Sequence, residues 1–233
     1  TITLTQSTSG YYTIIGGVGV DLLTGGSGND ILTGGDSGDY FGVTAGTDII
    51  TDLSTGDTLV VSSGSTANAN NISHFIATNS TSNGGVANLT AGSNGSTITL
   101  TQSTSGYYTI IGGTGVDLLT GGSGNDILTG ADGNDFLSGG SGNDALEGGP
   151  NNDTFQISSG IDFINDLETG DILLVSFGAT VNAPNIESFV STSDSLNSGI
   201  ANLTAENSGS TITLTSSGSG IYNLVGGSGV DLL

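Results

Sequence analysis

The chain has 233 residues, of which 22 are Asp or Glu, none is Lys or Arg and one is His, a formal charge of −22. Nothing basic is available to displace counterions from phosphates, which excludes nucleic acid as a partner and makes an anionic membrane surface unsuitable. Without Cys there are no disulfides and no thiolate metal sites, so any metal is a hard cation that prefers oxygen. No apolar run approaches a membrane span.

Taken in chain order, the sequence is a tandem repeat. "TITLTQSTSGYYTIIGG" begins at Thr1 and recurs at Thr97, and "TITLTSSGSGIYNLVGG" begins at Thr211. Residues 1–15 read as a strand and a first coil without metal, because Tyr12 stands where an Asp recurs later. In 16–60, Asp21, Asp30, Asp39, Asp48 and Asp57 follow one another every nine residues. Two residues after each comes an apolar side chain: Leu23, Leu32, Phe41, Ile50 and Leu59. Residues 61–111 form a spacer and a second entry coil. There the i, i+3, i+4 spacing of Ile72, Phe75 and Ile76 predicts one or two helical turns. "GVANLTA" and "STITLTQ" alternate and predict strands.

The pattern then resumes. Residues 112–174 carry Asp117, Asp126, Asp135, Asp144, Asp153, Asp162 and Asp171, followed by a spacer and third entry coil at 175–225. There Ile186, Phe189 and Val190 repeat the helical spacing. Residues 226–233 start a third series at Asp231.

A period of nine fits a helix poorly, and glycine this dense is costly in one. It fits a short strand and a tight turn. Consecutive nonapeptides then lie on opposite sheets of a flattened coil, 18 residues to the turn, with the Leu inside. The second unit exceeds the first by 18 residues, one whole coil, which leaves every face in register.

"GGSGNDILT" at 25–33 and 121–129, "GGSGNDALE" and "GGVGVDLLT" resemble the GGxGxDxUx repeat of RTX proteins. The resemblance covers 16–60, 112–174 and 226–233. It implies an all-β fold, a parallel β-roll or β-solenoid with Ca²⁺ between stacked turns, alternating here with small β-rich spacers. It also implies type I secretion and an extracellular, bacterial cell-surface location.

Calcium takes six to eight oxygens, and a glycine-rich turn can aim several carbonyls at one point. The candidate ligands are the thirteen in-frame Asp from Asp21 to Asp231, stacked in pairs 18 apart. The candidate turn glycines are Gly17, Gly19, Gly26, Gly28, Gly35, Gly113, Gly115, Gly122, Gly124, Gly133, Gly140, Gly142 and Gly149. Ser37 and Asn151 interrupt the glycine pattern, which puts their turns in doubt. Asp52 and Asp166, in "DLSTGD" and "DLETGD", either ligate a terminal ion or face solvent.

His74 is replaced by Ser188 in the second spacer, which argues against a role required in each unit. Tyr11, Tyr12, Tyr107 and Tyr108 are expected to pack at a coil end. With no basic residue, no Cys and one unrepeated His, catalysis is not expected. Two functions remain open: a calcium-assembled surface layer or filament that self-associates head to tail, and the repeat region of a secreted adhesin or toxin.

Overall fold

The computed structural model describes residues 2–3, 10–103, 105–214 and 218–233. The reading of 1–15 as a strand and a first coil therefore lies partly outside the described residues, at 1 and 4–9. Among those described there are twenty-six strands and no helix, and the strand pairings are parallel throughout. The chain is a parallel β-solenoid of about 11 turns.

One face is a single twelve-stranded sheet, from Thr13–Val18 to Ile221–Val225. The opposite side is divided. A five-stranded sheet ends on Ser82–Asn83, a seven-stranded sheet runs from His74–Ile76 to Leu196–Asn197, and Ser188–Val190 opens a last pair with Thr211–Thr213.

In the rolls, residues pair across a step of 18, as in Ile14 with Leu32 and Leu32 with Ile50, or Leu119 with Leu137 and Leu137 with Phe155. Each coil has two strands and two turns. The inward position of every strand is large and apolar: Leu23, Leu32, Phe41, Leu128, Leu137 and Phe155 are all fully buried. Full burial of such a side chain stabilises by about 1.5–3 kcal/mol. With one such residue in most nonapeptides and a second only where Val43, Val61, Ile157 or Val175 follows, the rolls have a thin core.

In the spacers the coils grow. Asp48 pairs with Ala67, Ala67 with Ala87, and Ala87 with Tyr108, steps of 19, 20 and 21. The extra residues add a third side. After Thr66–Ile72 on the long sheet come His74–Ile76 and then Ser82–Asn83, before the chain returns at Val86–Ala91. The old second sheet ends on one of these short sides, and the new one begins on the other.

The predicted helical turns at Ile72, Phe75 and Ile76 are not there; these residues are in strands. Asn71 takes a left-handed φ of 59°, and the chain turns a corner just before Phe75. Ile72 and Phe75 both point inward from adjacent sides of the coil, while Ile76 is exposed. The second spacer repeats this with Asn185, Ile186 and Phe189, Asn185 again at φ 59°. The strands predicted from "GVANLTA" and "STITLTQ" are present as Val86–Ala91 and Thr97–Thr99.

Candidate metal centres

Each glycine-rich turn delivers its Asp to the start of a strand with the side chain turned into the coil edge. Eleven of the thirteen in-frame Asp are buried; Asp21 and Asp231 are half-buried. Stacking brings every predicted pair within a roll together. The backbone N–H of Asp21 donates to Oδ1 of Asp39, that of Asp30 to Asp48, and that of Asp39 to Asp57, at 2.7–3.0 Å. The second roll repeats this from Asp117 to Asp135, Asp153 and Asp171, and from Asp126 to Asp144 and Asp162, at 2.7–2.9 Å. Each roll thus has two carboxylate columns, one along each edge. Asp231 accepts instead from the N–H of Ser210 at 3.0 Å.

The second carboxylate oxygen decides what the columns need. Oδ2 of Asp30, Asp48, Asp126, Asp135, Asp144, Asp153 and Asp162 is shut off from solvent and has no hydrogen-bond partner. In Asp30, Asp126, Asp135, Asp144 and Asp153 the carboxylate lies against the first glycine of its own turn, so that a methyl on Gly25 or Gly139 would collide with Asp30 or Asp144. A buried, unpaired carboxylate oxygen is costly.

Burial accordingly pushes Asp126, Asp153 and Asp162 up to about 7, and Asp48, Asp135 and Asp171 up to about 6. The backbone N–H bond to each carboxylate opposes the shift, and the stacked neighbouring carboxylates add to it. Asp57 and Asp144 are raised for the same leading reason.

With no Lys or Arg anywhere in the chain, only protonation or a metal ion can neutralise these columns. Among the described residues no three acidic or His side chains converge as a ligand cluster. A site here is therefore stacked Asp carboxylates completed by turn carbonyls. The turns are close enough for this: a Cβ on Gly28 would strike the carbonyl of Gly10, and one on Gly142 that of Gly124. Gly28 and Gly142 hold φ of 137° and 136°, open to glycine and strained for other residues. An all-oxygen set of this kind suits a hard divalent cation such as Ca²⁺.

The last Asp of each roll differs. Oδ2 of Asp57 accepts from the N–H and hydroxyl of Ser54 at 2.7 and 3.1 Å, and Oδ2 of Asp171 from the N–H of Glu168 at 2.9 Å. Asp117 also has its second oxygen engaged, by the N–H of Gly113 at 2.8 Å.

Asp52 and Asp166 are turned back onto the protein rather than facing solvent. Asp52 accepts from the N–H groups of Gly34 and Gly35 at 2.9 and 2.8 Å, and Asp166 from those of Gly148 and Gly149 at 3.0 and 2.7 Å. Each carboxylate closes the final Gly-Gly turn of its edge, where a further repeat would otherwise stack.

One more contribution escapes the sequence reading. The Asn preceding the Asp in "GND" accepts from the coil that follows: Asn29 from the N–H of Thr47, Asn125 from Asn143 and Asn143 from Ile161, each at 2.9 Å. Asn therefore ties a turn forward while Asp ties it backward.

Tyr108, in frame with the Asp series, fills its edge with a fully buried ring whose hydroxyl meets Ser103 Oγ at 2.7 Å. Burial pushes this phenol up to about 12. Tyr11 is 83 % exposed, and Tyr12 and Tyr107 are partly exposed, so the coil-end role belongs to Tyr108 among the four. His74 is exposed on the strand paired with Thr97–Thr99.

These features define a parallel β-solenoid whose edges are columns of stacked, buried carboxylates. The model of the RTX calcium-binding nonapeptide repeat matches four times, at 15–50, 109–137, 121–155 and 129–164, so these two segments carry RTX repeats, a repeat described as calcium-binding. No curated protein and no solved structure matches the chain.

Proposed function

We infer that the chain is a structural repeat of a secreted bacterial surface layer or filament, whose rolls fold and assemble when calcium fills the edge columns. RTX repeats occur in secreted bacterial proteins, and no helix among the described residues is long and apolar enough to cross a membrane. The observation that carries the reading is the set of seven buried Oδ2 atoms without partners, in a chain with no basic side chain. Calcium in the extracellular medium supplies the missing charge, and its binding energy becomes folding energy. The candidate ligands are the in-frame Asp together with the turn carbonyls; Asp57, Asp117 and Asp171 contribute least, because both their oxygens are already engaged. The near-identity of 1–34 and 97–130 suits a repetitive building block better than a catalyst.

Circular dichroism with and without chelator tests this. Calcium should convert a largely disordered spectrum into a β spectrum, and negative-stain microscopy should then show ordered sheets or fibres. An unchanged spectrum and melting temperature in EDTA would overturn the calcium reading; a folded chain that never assembles would overturn the structural one.

A second reading, a secreted adhesin or toxin repeat, has one feature in its favour. Phe177 is 92 % exposed beside an apolar groove of about 300 Å³ lined by Ala179, Ile200 and Ile221, where the first unit has Ser63. Assembly without ligand binding would remove it.

A further inference from the structure

We propose that the outer face of the twelve-stranded sheet is a self-association surface, on which a second copy of this chain packs face to face. The proposal takes from the preceding section only that the calcium-loaded chain is folded.

The exposed apolar side chains are unevenly placed. Among the described residues, twelve of the large ones lie on strands of the long sheet and four on strands of the other sheets. They form rows, because the strands stack in register. Ile31 pairs with Ile49 in the first roll, and Ile127 with Ala145 and Ala145 with Phe163 in the second. One row over, Ile161 leads through Thr180 to Ile200. Ile31, Ile49, Ile127, Ile161 and Phe163 are 39–49 % exposed.

The same face is almost free of charge. The chain has 22 acidic residues, yet on these twelve strands only Asp36 and Glu147 direct a carboxylate outward, each at the end of its strand. The other two acids on these strands, Asp48 and Asp162, are turned inward and buried. The negative charge is thus carried by turns, edges and spacer loops.

Charge and periodicity select the occupant. A copy of a molecule with no Lys and no Arg cannot meet an acidic surface of its twin without repulsion, so two neutral faces are the pairing that avoids it. Both faces share the same strand spacing, and sheets packed face to face lie about 10 Å apart with side chains interleaved.

A two-fold axis running along the solenoid sets each strand opposite its own copy. The Ile and Phe blocks then meet one another. So do the Asn ladders of the spacers, in which the amide of Asn88 donates to Asn68 and that of Asn202 to Asn182, at 2.8 and 2.7 Å. A third outward row runs through Ile111 and Thr129; twelve strands span about 53 Å and three rows about 13 Å, at most on the order of 700 Å² per copy against the ~800 Å² per partner of a standard interface.

The absence of native Cys makes the test direct. Sedimentation of the calcium-loaded chain should give twice the monomer mass at micromolar concentration. Ile127→Asp with Phe163→Asp should weaken the dimer at least tenfold, and Leu22→Asp with Leu118→Asp, on the other faces, should leave it unchanged. Under mild oxidation Ile127→Cys should cross-link to its copy and Leu118→Cys should not. A wild-type chain that stays monomeric, a dimer untouched by the long-sheet pair of substitutions, or equal cross-linking on both faces would overturn the proposal. Far-UV circular dichroism on the same samples separates the two readings: a chain that folds in calcium but remains a monomer defeats this inference alone.

Discussion

Lowering the pH should partly restore the fold of the calcium-free chain. Asp126, Asp153 and Asp162 titrate near 7 in the metal-free fold against 3.8 for the free side chain. Above pH 7 each is ionised in both folded and unfolded chain, and the full cost of burying the charge falls on the fold. Below about 4 each is neutral in both, and the cost is gone. Three pH units at about 1.4 kcal/mol each make the penalty about 4 kcal/mol per group.

Asp144 stacks between Asp126 and Asp162, so these penalties are coupled and do not simply add. Even so, two such groups consume most of the 5–15 kcal/mol that typically holds a folded domain together. At pH 7.5 in chelator the rolls should be unfolded; at pH 5 the β signal should return in part and the urea midpoint should rise. Calcium affinity should fall over the same interval as protons compete for the columns, and binding near pH 6.5 should release protons. A calcium-free chain equally stable at pH 7.5 and pH 5 would refute the reasoning, because the buried carboxylates would then have a partner other than a proton or a cation.

Other expectations follow from the same geometry. Replacing Asp166 with Ala removes two charge-assisted bonds to Gly148 and Gly149, and should lower stability by about 2 kcal/mol in saturating calcium, read from urea unfolding. Tyr108→Phe should cost about 1 kcal/mol for the lost bond to Ser103, and Tyr108→Ala about 3–5 kcal/mol for the cavity, neither altering the number of ions counted by atomic emission. Gly139→Ala pushes a methyl against the Asp144 carboxylate and should weaken calcium binding in the second roll, visible as a lower stoichiometry in calorimetry. Asn in place of Asp126, Asp144 and Asp162 should remove more ions than Asn in place of Asp30 and Asp48, since the second roll has five unpartnered carboxylate oxygens and the first two.

Much of this site is legible in the letters because a solenoid repeats one local solution. The step of nine predicts which side chains enter the core, and Leu32, Leu128 and Phe155 are fully buried as that step requires. It also predicts the pairs of Asp that stack.

The spacers were misread at their corners. Ile72 and Phe75, or Ile186 and Phe189, are three apart, as on one face of a helix, but they point inward from two sides of a bend at Ser73 or Glu187, just after a left-handed Asn. Sequence spacing does not distinguish the two. The capping role of Asp52 and Asp166 was also hidden, because it depends on where the amides of a turn 17 and 18 residues earlier point. The Asn of "GND" offered a signal, its constant place before Asp, but not the direction of its bond.

The growth of the coils explains why one sheet runs unbroken while its opposite is divided. Steps of 19, 20 and 21 would destroy a sheet if the added residues entered its strands. Most enter instead on the far side, as the short strands His74–Ile76 and Ser82–Asn83, and one is taken up as a bulge beside Asn71, so the long sheet keeps its pairing of Ala67 with Ala87 and Ala87 with Tyr108. In the same coils the need for cations disappears. Buried Asn83 and Asn197 satisfy both ends of their amides, accepting from Gly85 and Gly199 and donating to the carbonyls of Tyr107 and Ile221. Alanines and aromatic rings replace the thin one-Leu core. Among the described residues, the buried carboxylate oxygens without a hydrogen-bond partner are thereby confined to the two-sided coils. The long sheet crosses both kinds of coil without interruption.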